Sequence, residues 1–224
     1  KYFDASGFIT LPNKTNAPLE QLERYLSLAL QPSPHMRELL DSIRETRAPS
    51  GDYLALHARF EPEMLNHGMC QEHKVKDLTM VLDQIGSLKD FAELDSLFVA
   101  VSIPQMLAPY RYPKNKEIHK KNAESLQKAF KHGLPKSGDS SSNLRLWTGG
   151  EEAVEHRVEP CMEQIVSSYI NWEIAVEAKA FIGTVTSTWS VAVWKSRYFR
   201  GLPNYAYTPE GIVKLEGAPE PFRC

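Results

Sequence analysis

The 224-residue sequence has no long apolar run, few cysteines and almost no net charge. Its longest apolar segments, 97–101 and 191–194, are far shorter than the ~20 residues that a membrane-spanning helix needs. The net charge is −2, with 24% charged and 42% hydrophobic residues. This composition excludes disordered chains, collagens and supercharged nucleic-acid binders. A chain of this size buries about 70% of its unfolded surface on folding, so no disulfide is needed for stability.

The three cysteines, Cys70, Cys161 and Cys224, are an odd number, so at least one is free or pairs outside this chain. The sequence leaves open whether Cys70 and Cys161 pair with each other. Asn13 begins a glycosylation sequon, which matters only in a secretory compartment. The chain begins at Lys1 rather than Met, so an upstream signal peptide or anchor is also left open.

The sequence also lacks the short motifs of several enzyme classes: Gly-x-Ser-x-Gly, His-Glu-x-x-His, Gly-x-Gly-x-x-Gly and Walker A. His67, Cys70 and His73 could bind zinc, but no second cluster completes a tetrahedral set. We therefore favour a loop cysteine flanked by surface histidines, and we expect no metal site. The lysines between 114 and 131 are interrupted by glutamates, which is typical of a solvated helix. We therefore expect no nucleic-acid partner.

The sequence does contain an alternation of short β-rich segments and amphipathic helical segments, which is typical of an α/β fold with a mostly parallel sheet. Ser33 is a good N-cap and Pro34 a good first residue for one of the helices. The polar segment 135–143 predicts a loop. Strands are predicted over 52–60, 94–102 and 180–183, and helices over 19–26, 35–44, 74–88, 116–132, 159–177 and about 186–200. No repeat or shift in composition marks a second domain, so we expect a single domain over residues 1–224.

One candidate binding segment, 181–190, runs from a predicted strand into a predicted helix. In open α/β sheets, ligands bind at the carboxyl ends of strands, where a helix start offers unpaired N–H groups to an anion. Gly183 allows a close turn of the backbone. The hydroxyls of Thr186, Ser187 and Thr188 add further donors, so this segment predicts a phosphate site.

The other candidate segment follows the predicted strand 52–60. Alternation places His57 and Arg59 on the same side of that strand, and the five donors of an arginine suit the recognition of a diphosphate. Glu61 or Glu63 could orient the guanidinium. The residue pattern leaves open an alternative in which Arg59 makes a structural ion pair with one of these glutamates and His57 packs in the core.

These two segments resemble the signatures of a known family. Residues 53–64, with His57-x-Arg59-Phe60-Glu61, resemble the His-x-Arg-Phe-Glu segment of the GDP-fucose protein O-fucosyltransferase superfamily, especially its plant-type branch. Residues 181–190 resemble its second signature, Phe-Ile-Gly followed by Ser-Ser/Thr-Phe-Ser. The resemblance implies the C-terminal, donor-binding half of a GT-B glycosyltransferase, which is a Rossmann-like parallel sheet flanked by helices. It also implies the secretory pathway, in the lumen of the ER or Golgi, with a membrane anchor in the parent protein left open.

The resemblance also implies a chemistry and a set of site residues. Arg59 would be the catalytic residue, because it offsets the charge that develops on the departing GDP. The reaction would be an inverting fucosyl transfer to a protein or glycan acceptor, without an essential metal or other cofactor. Trp189 stands where the family usually has Phe. The nucleotide-sugar contacts would come from His57, Arg59, Glu63, Ser187, Thr188 and Trp189.

Two departures from the family pattern bear on function. Asn171 stands where the family has an acidic residue that reads the guanine base, and an amide cannot replace the two acceptors of a carboxylate. The Gly-Gly-x-Asn-type loop of the N-terminal half is absent from this chain, so we expect a missing N-terminal domain as a partner. An alternative function is a non-catalytic module that keeps the fold and binds a glycan, a protein or a nucleotide without turnover.

Overall fold

The computed structural model describes residues 19–29, 31–66, 68, 71–108, 114–136, 139–149 and 160–217. The chain divides into two compact units, residues 1–31 and 32–224. The first contains helix α1 (Leu19–Ala29), and the second contains the sheet and the remaining described helices. None of the described helices is long and apolar enough to cross a membrane.

A seven-stranded sheet forms the centre of the second unit. Five strands run parallel to one another in the order β4-β2-β1-β5-β6. The edge strands β3 and β7 pair antiparallel with β4 and β6. The strands are β1 (Leu54–His57), β2 (Ser96–Ala100), β3 (Leu134–Lys136), β4 (Asp139–Trp147), β5 (Ala180–Gly183), β6 (Asn204–Thr208) and β7 (Gly211–Lys214).

The strand order confirms the predicted α/β fold and identifies the edge at which sheets of this order bind ligands. When the five parallel strands are numbered from 1 to 5 along the chain, their order across the sheet is 3-2-1-4-5. This is the order of doubly wound nucleotide-binding sheets. The winding therefore reverses between β1 and β5, whose carboxyl ends are His57 and Gly183. In such sheets, ligands bind outside the carboxyl ends of the strands at this reversal.

Helices cover both faces of the sheet. Leu54 and Leu56 of β1 pack in one core with residues of α4 and α6, whereas Ala55 packs in another with residues of α2, α7 and α8. Because successive strand residues point to opposite faces, all four residues of β1 are buried. The helices of this unit are α2 (Pro34–Arg47), α3 (Pro62–Asn66), α4 (Leu78–Ser87), α5 (Ile103–Leu107), α6 (Lys116–His132), α7 (Pro160–Glu177) and α8 (Thr188–Phe199).

Local capping chemistry decides where two helices begin. At α2, Pro34 is the first residue and the Ser33 hydroxyl accepts the Met36 N–H at 3.3 Å, which confirms the predicted start. The predicted helix 74–88 was wrong at its start. Helix α4 begins four residues later because the Asp77 carboxylate caps it, accepting the Thr79 N–H at 2.9 Å.

The predicted loop over 135–143 was wrong. Its described residues belong to the antiparallel pair β3 and β4, in which Pro135 lies opposite Asn143. Serine and proline give this segment the composition of a loop, but an edge strand tolerates a proline because it has an unpaired side. The sequence did not predict β6 and β7, which are short strands that begin directly after Pro203 and at Gly211.

Arg197 ties α8 to the two turns that flank β5 and β6. Its side chain is fully buried, and its Nε donates to Asn204 Oδ1 at 3.0 Å. Nη1 donates to the carbonyls of Val176 and Ala178, each at 2.7 Å, and Nη2 to that of Pro203 at 2.9 Å. One guanidinium therefore satisfies carbonyls from the turn before β5 and from the turn before β6.

Candidate functional site

A cleft of about 430 Å³ opens beside the carboxyl ends of β1 and β2. Its walls come from segment 57–61 at the end of β1, segment 100–105 at the end of β2, one face of α7, and Trp189 in the first turn of α8. The cleft therefore lies at the carboxyl edge of the parallel strands, beside β1, which is one of the two strands between which the winding reverses. Both segments that the sequence analysis selected reach it.

Ser190 joins these two segments. His57 Nδ1 lies 2.7 Å from Ser190 Oγ, and both side chains are buried. The backbone N–H of Thr184 donates to the same oxygen at 3.1 Å. The end of β1 and the turn between β5 and α8 are thus bonded through a single hydroxyl.

The close approach of Ser190 to β5 requires glycine at position 183. A Cβ on Gly183 would lie 2.8 Å from Ser190 Oγ and 2.9 Å from a ring carbon of Phe181. Both separations are shorter than van der Waals contact. The sequence predicts a close turn at Gly183, and the structure adds a packing reason for the same glycine.

His57 is held neutral in the wall of the cleft. Its side chain is only 7% exposed, and the Trp189 ring lies against it with 4.4 Å between the ring centroids. Burial, assisted by the charge of Arg59, lowers the pKa of His57 to about 3. A neutral imidazole carries one donor and one acceptor, so His57 both packs in the protein and offers a hydrogen-bonding group to the cleft.

Arg59 brings positive charge to the cleft. Among the described residues that line it, Arg59 is the only lysine or arginine. Its backbone N–H donates to the Tyr207 hydroxyl at 3.3 Å, and Nη2 contacts Met64 Sδ at 3.3 Å. Its Nε is buried without a hydrogen-bond partner among the described residues and lies 3.9 Å from Glu61 Oε2. With its side chain 38% exposed, Arg59 has donors left for an anion.

The two glutamates that follow Arg59 have different environments. Glu61 is 6% exposed and lines the cleft. Burial raises the pKa of Glu61, and the nearby Arg59 charge opposes that rise. Glu63 is exposed in the first turn of α3 and is not among the residues that line the cleft. The glutamate beside the guanidinium is therefore Glu61, and the orienting role of Glu63 stays a prediction.

The start of α8 places its three predicted site residues differently. Ser187 is the buried N-cap, and its hydroxyl accepts the Ser190 N–H at 3.5 Å. Thr188 is exposed, and Trp189 lines the cleft. Since neither Ser187 nor Thr188 is among the cleft-lining residues, their phosphate contacts stay predictions.

Helix α7 supplies a polar wall of which the sequence analysis found only Asn171. Gln164, Ser167 and Ser168 line the cleft together with Asn171. Their separations of three and four residues place them on one face of a helix. This helical spacing of polar residues was a signal that the sequence offered.

Several predictions about metal ligands and cysteines fall outside the described residues. Within the described ranges, no three histidine, cysteine, aspartate or glutamate side chains come together as metal ligands. His67, Cys70, Cys224 and the sequon at Asn13 lie in the part of the chain that is not described. The side chain of Cys161 is not described either.

No protein-family model matches the chain, and no curated protein is significantly similar to it. The resemblance to the O-fucosyltransferases therefore rests on the two sequence motifs and stays a prediction. The geometry of the cleft is the independent observation that bears on function.

Proposed function

We propose that the cleft binds the diphosphate of a nucleotide sugar, which the motif resemblance identifies as GDP-fucose. In this proposal the chain is the C-terminal, donor-binding domain of a GT-B enzyme that performs inverting, metal-independent fucosyl transfer. Arg59 is the catalytic residue, the acceptor is a protein or a glycan, and an N-terminal domain completes the site. The proposed location is the lumen of the ER or Golgi.

The observation that carries this proposal is the hydrogen bond between His57 and Ser190. These residues are 133 positions apart, and each belongs to one of the two motifs. Their contact brings Arg59 and Trp189 to the same cleft at the place where doubly wound sheets bind nucleotides. A diphosphate needs a cation and N–H donors in a partly dry site, and at this edge of the sheet the Arg59 guanidinium supplies both.

The chemistry follows from the position of Arg59. Transfer breaks the bond between the anomeric carbon of the sugar and the β-phosphate oxygen while an acceptor hydroxyl oxygen attacks the opposite face of that carbon. The acceptor hydroxyl gives up its proton to water. The bonding electrons leave with the diphosphate, whose negative charge grows in the transition state. Arg59 offers a positive charge and several N–H donors there, and their effect is larger in a partly buried cleft than in water.

A second candidate function is a binding module without turnover. Asn171 favours it, because its amide oxygen is one acceptor where a guanine-reading carboxylate has two. Ser187 favours it as well, because its hydroxyl already caps α8. Such a module would use the same cleft to bind a glycan, a protein or a nucleotide.

Isothermal titration calorimetry of the purified chain with GDP, UDP and ADP distinguishes the transferase from a module that binds a glycan or a protein. Turnover in the whole enzyme distinguishes it from a module that binds a nucleotide. The transferase predicts selective affinity for GDP. We expect Arg59→Ala to weaken GDP binding roughly 10- to 100-fold, the usual effect of losing charge-assisted hydrogen bonds. The GDP affinity of Arg59→Lys should fall between those of the wild type and Arg59→Ala, because lysine keeps the charge but lacks the planar guanidinium. In the whole enzyme, Arg59→Ala should abolish sugar-nucleotide turnover with an unchanged circular dichroism spectrum.

Arg145→Ala is the matched control. Arg145 is exposed on β4, where it pairs with Ser96 at the amino end of β2, so it lies at the edge of the sheet opposite the cleft. This variant should bind GDP like the wild type. Absence of affinity for all three nucleotides would favour the binding module, and wild-type GDP affinity in Arg59→Ala would contradict the role of Arg59.

A further inference from the structure

The Ser190 hydroxyl has two partners, and only one of them has a fixed role. The Thr184 N–H can only donate, so Ser190 Oγ accepts that bond. His57 Nδ1, at 2.7 Å, can donate or accept, depending on which ring nitrogen carries the hydrogen. The direction of this second bond therefore decides what His57 presents to the cleft.

The hydrogen of the Ser190 hydroxyl fixes that direction. Ser190 is fully buried, and among the described residues its hydroxyl has no acceptor other than His57. If Nδ1 carried a hydrogen, Ser190 would accept twice and its own O–H would be unpaired in the interior, which is costly. If Nδ1 is bare, the Thr184 N–H, the Ser190 O–H and Nδ1 are all satisfied.

We propose that Ser190 is a positioning residue that donates to His57 Nδ1 and fixes the Nε2–H tautomer, so that the cleft presents a fixed N–H donor to an acceptor oxygen of its ligand. His57 lines the cleft, and because Nδ1 is engaged, Nε2 is the nitrogen left for the ligand. The Trp189 ring packs against the imidazole and restricts its orientation. Gly183 leaves the space that Ser190 needs.

This arrangement selects the chemistry of the bound group. An N–H donor beside the Arg59 guanidinium suits an oxygen that only accepts, such as a phosphate oxygen, and disfavours an ammonium or amide N–H at the same place. Because burial keeps the imidazole neutral, the donor does not change its charge near neutral pH. Only the naming of that oxygen as a diphosphate oxygen rests on the proposed function.

The tautomer can be measured on the wild-type chain without any ligand. In long-range ¹H–¹⁵N correlation spectra, a protonated ring nitrogen and a bare one have distinct shifts. The variant His57→Gln identifies the signals of His57 by removing them. We expect Nε2 protonated and Nδ1 bare at neutral pH, and finding the hydrogen on Nδ1 would overturn the proposal.

The variant Ser190→Ala then tests what fixes the tautomer. Without the hydroxyl, the His57 signals should move toward the average of the two tautomers, and GDP affinity should fall about tenfold. Ser196→Ala is the control, since Ser196 is 2% exposed in the same helix and is not among the cleft-lining residues. It should leave both readouts unchanged. Wild-type His57 signals in Ser190→Ala would also overturn the proposal.

The two proposals fail separately. A hydrogen on Nδ1 in the wild type would overturn the role of Ser190 whatever the calorimetry gives, and this result is independent of whether Ser190→Ala folds. The expected tautomer without affinity for any nucleotide would support the role of Ser190 and overturn the proposed transferase.

Discussion

His57 Nδ1 and Ser190 Oγ lie 2.7 Å apart although 133 positions separate the two residues in the chain. His57 ends β1, and Ser190 lies in the first turn of the helix that follows β5. The two residues meet because β1 and β5 are neighbours in the sheet. The strand order therefore brings two separate sequence motifs to one cleft.

The buried neutral state of His57 predicts a dependence of stability on pH. The pKa of His57 is about 3 in the folded chain, compared with an ordinary 6.5. Between these values the unfolded chain binds more protons, so the contribution of His57 is present above about pH 6.5 and is lost as the pH falls toward 3. From about pH 6.5 to about pH 5, wild type should lose about 2 kcal/mol of unfolding free energy more than His57→Gln.

Urea denaturation at several pH values measures this difference. The comparison concerns the slope against pH, because His57→Gln also loses a hydrogen bond and begins less stable. His35→Gln is the control, since His35 is exposed on α2, and it should keep the wild-type slope. Parallel slopes for wild type and His57→Gln would show that His57 is not held neutral by burial.

Gly183 predicts a packing defect that reaches the cleft. In Gly183→Ala, the new methyl would lie 2.8 Å from Ser190 Oγ and 2.9 Å from Phe181, so one of these groups must move. We expect a loss of about 1–3 kcal/mol in unfolding free energy, typical of overpacking. The His57 ring signals should also change, because Ser190 is displaced.

Gly68→Ala serves as the control for this substitution. A Cβ at Gly68 meets nothing within 4 Å in the described structure, so the variant should unfold like the wild type. If Gly183→Ala had the stability and the His57 signals of the wild type, the close packing of β5 against Ser190 would be wrong.

The elements that the sequence predicted well carry their own local signals. The bounds of α6 and β5 were predicted correctly, and the start of α2 followed from Ser33 and Pro34. Strands β1 and β2 were predicted too long, because a strand ends where its ladder ends rather than where apolar residues end. The hairpin of β3 and β4 was not predicted, because its residues have the composition of a loop. They form a strand because β3 can pair with β4 at the edge of the sheet.

The candidate site was predictable only where a motif named its residues. His57, Arg59, Asn171 and Trp189 line the cleft, and their nucleotide-sugar contacts stay predictions. The role of Ser190 was not predictable, because its partner lies across the sheet and depends on strand order. The burial of Glu61 and the exposure of Glu63 likewise depend on how the chain turns after β1.

Replacing the buried Arg197 side chain with an apolar one should cause a large loss of stability. Its guanidinium donates to several buried carbonyls and to Asn204. Burial lowers the pKa of Arg197 to about 10, which leaves it charged at neutral pH. Arg197→Met fills a similar volume but leaves those acceptors unpaired, so unfolding free energy should fall by about 3–5 kcal/mol.

Arg200→Met is the control that distinguishes the loss of the Arg197 hydrogen bonds from a general effect of removing a positive charge. Arg200 is only half-buried at the end of α8, so the same replacement there should cost less than about 1 kcal/mol. Chemical denaturation of both variants gives the comparison. Equal losses would mean that the hydrogen bonds of Arg197 do not hold the turns that flank β5 and β6.

Glu61 predicts a pH dependence of the opposite sign to that of His57. Burial raises the pKa of Glu61 above its ordinary value, so the folded chain binds more protons than the unfolded chain between the two values. The contribution of Glu61 is therefore full below the ordinary glutamate pKa and is lost as the pH rises through the folded value. Glu61→Gln keeps the shape of the side chain without a charge and should not lose stability in this window.

The matched variant Glu63→Gln makes the same chemical change two residues away, on an exposed side chain. The unfolding free energies of wild type and Glu61→Gln are measured from about pH 4 to about pH 8. As the pH rises, the wild-type value should fall relative to that of Glu61→Gln. Glu63→Gln should follow the wild type. If the unfolding free energy of Glu61→Gln instead changed with pH like that of the wild type, the Glu61 carboxylate would be well solvated. Its burial in the wall of the cleft beside Arg59 would then be wrong.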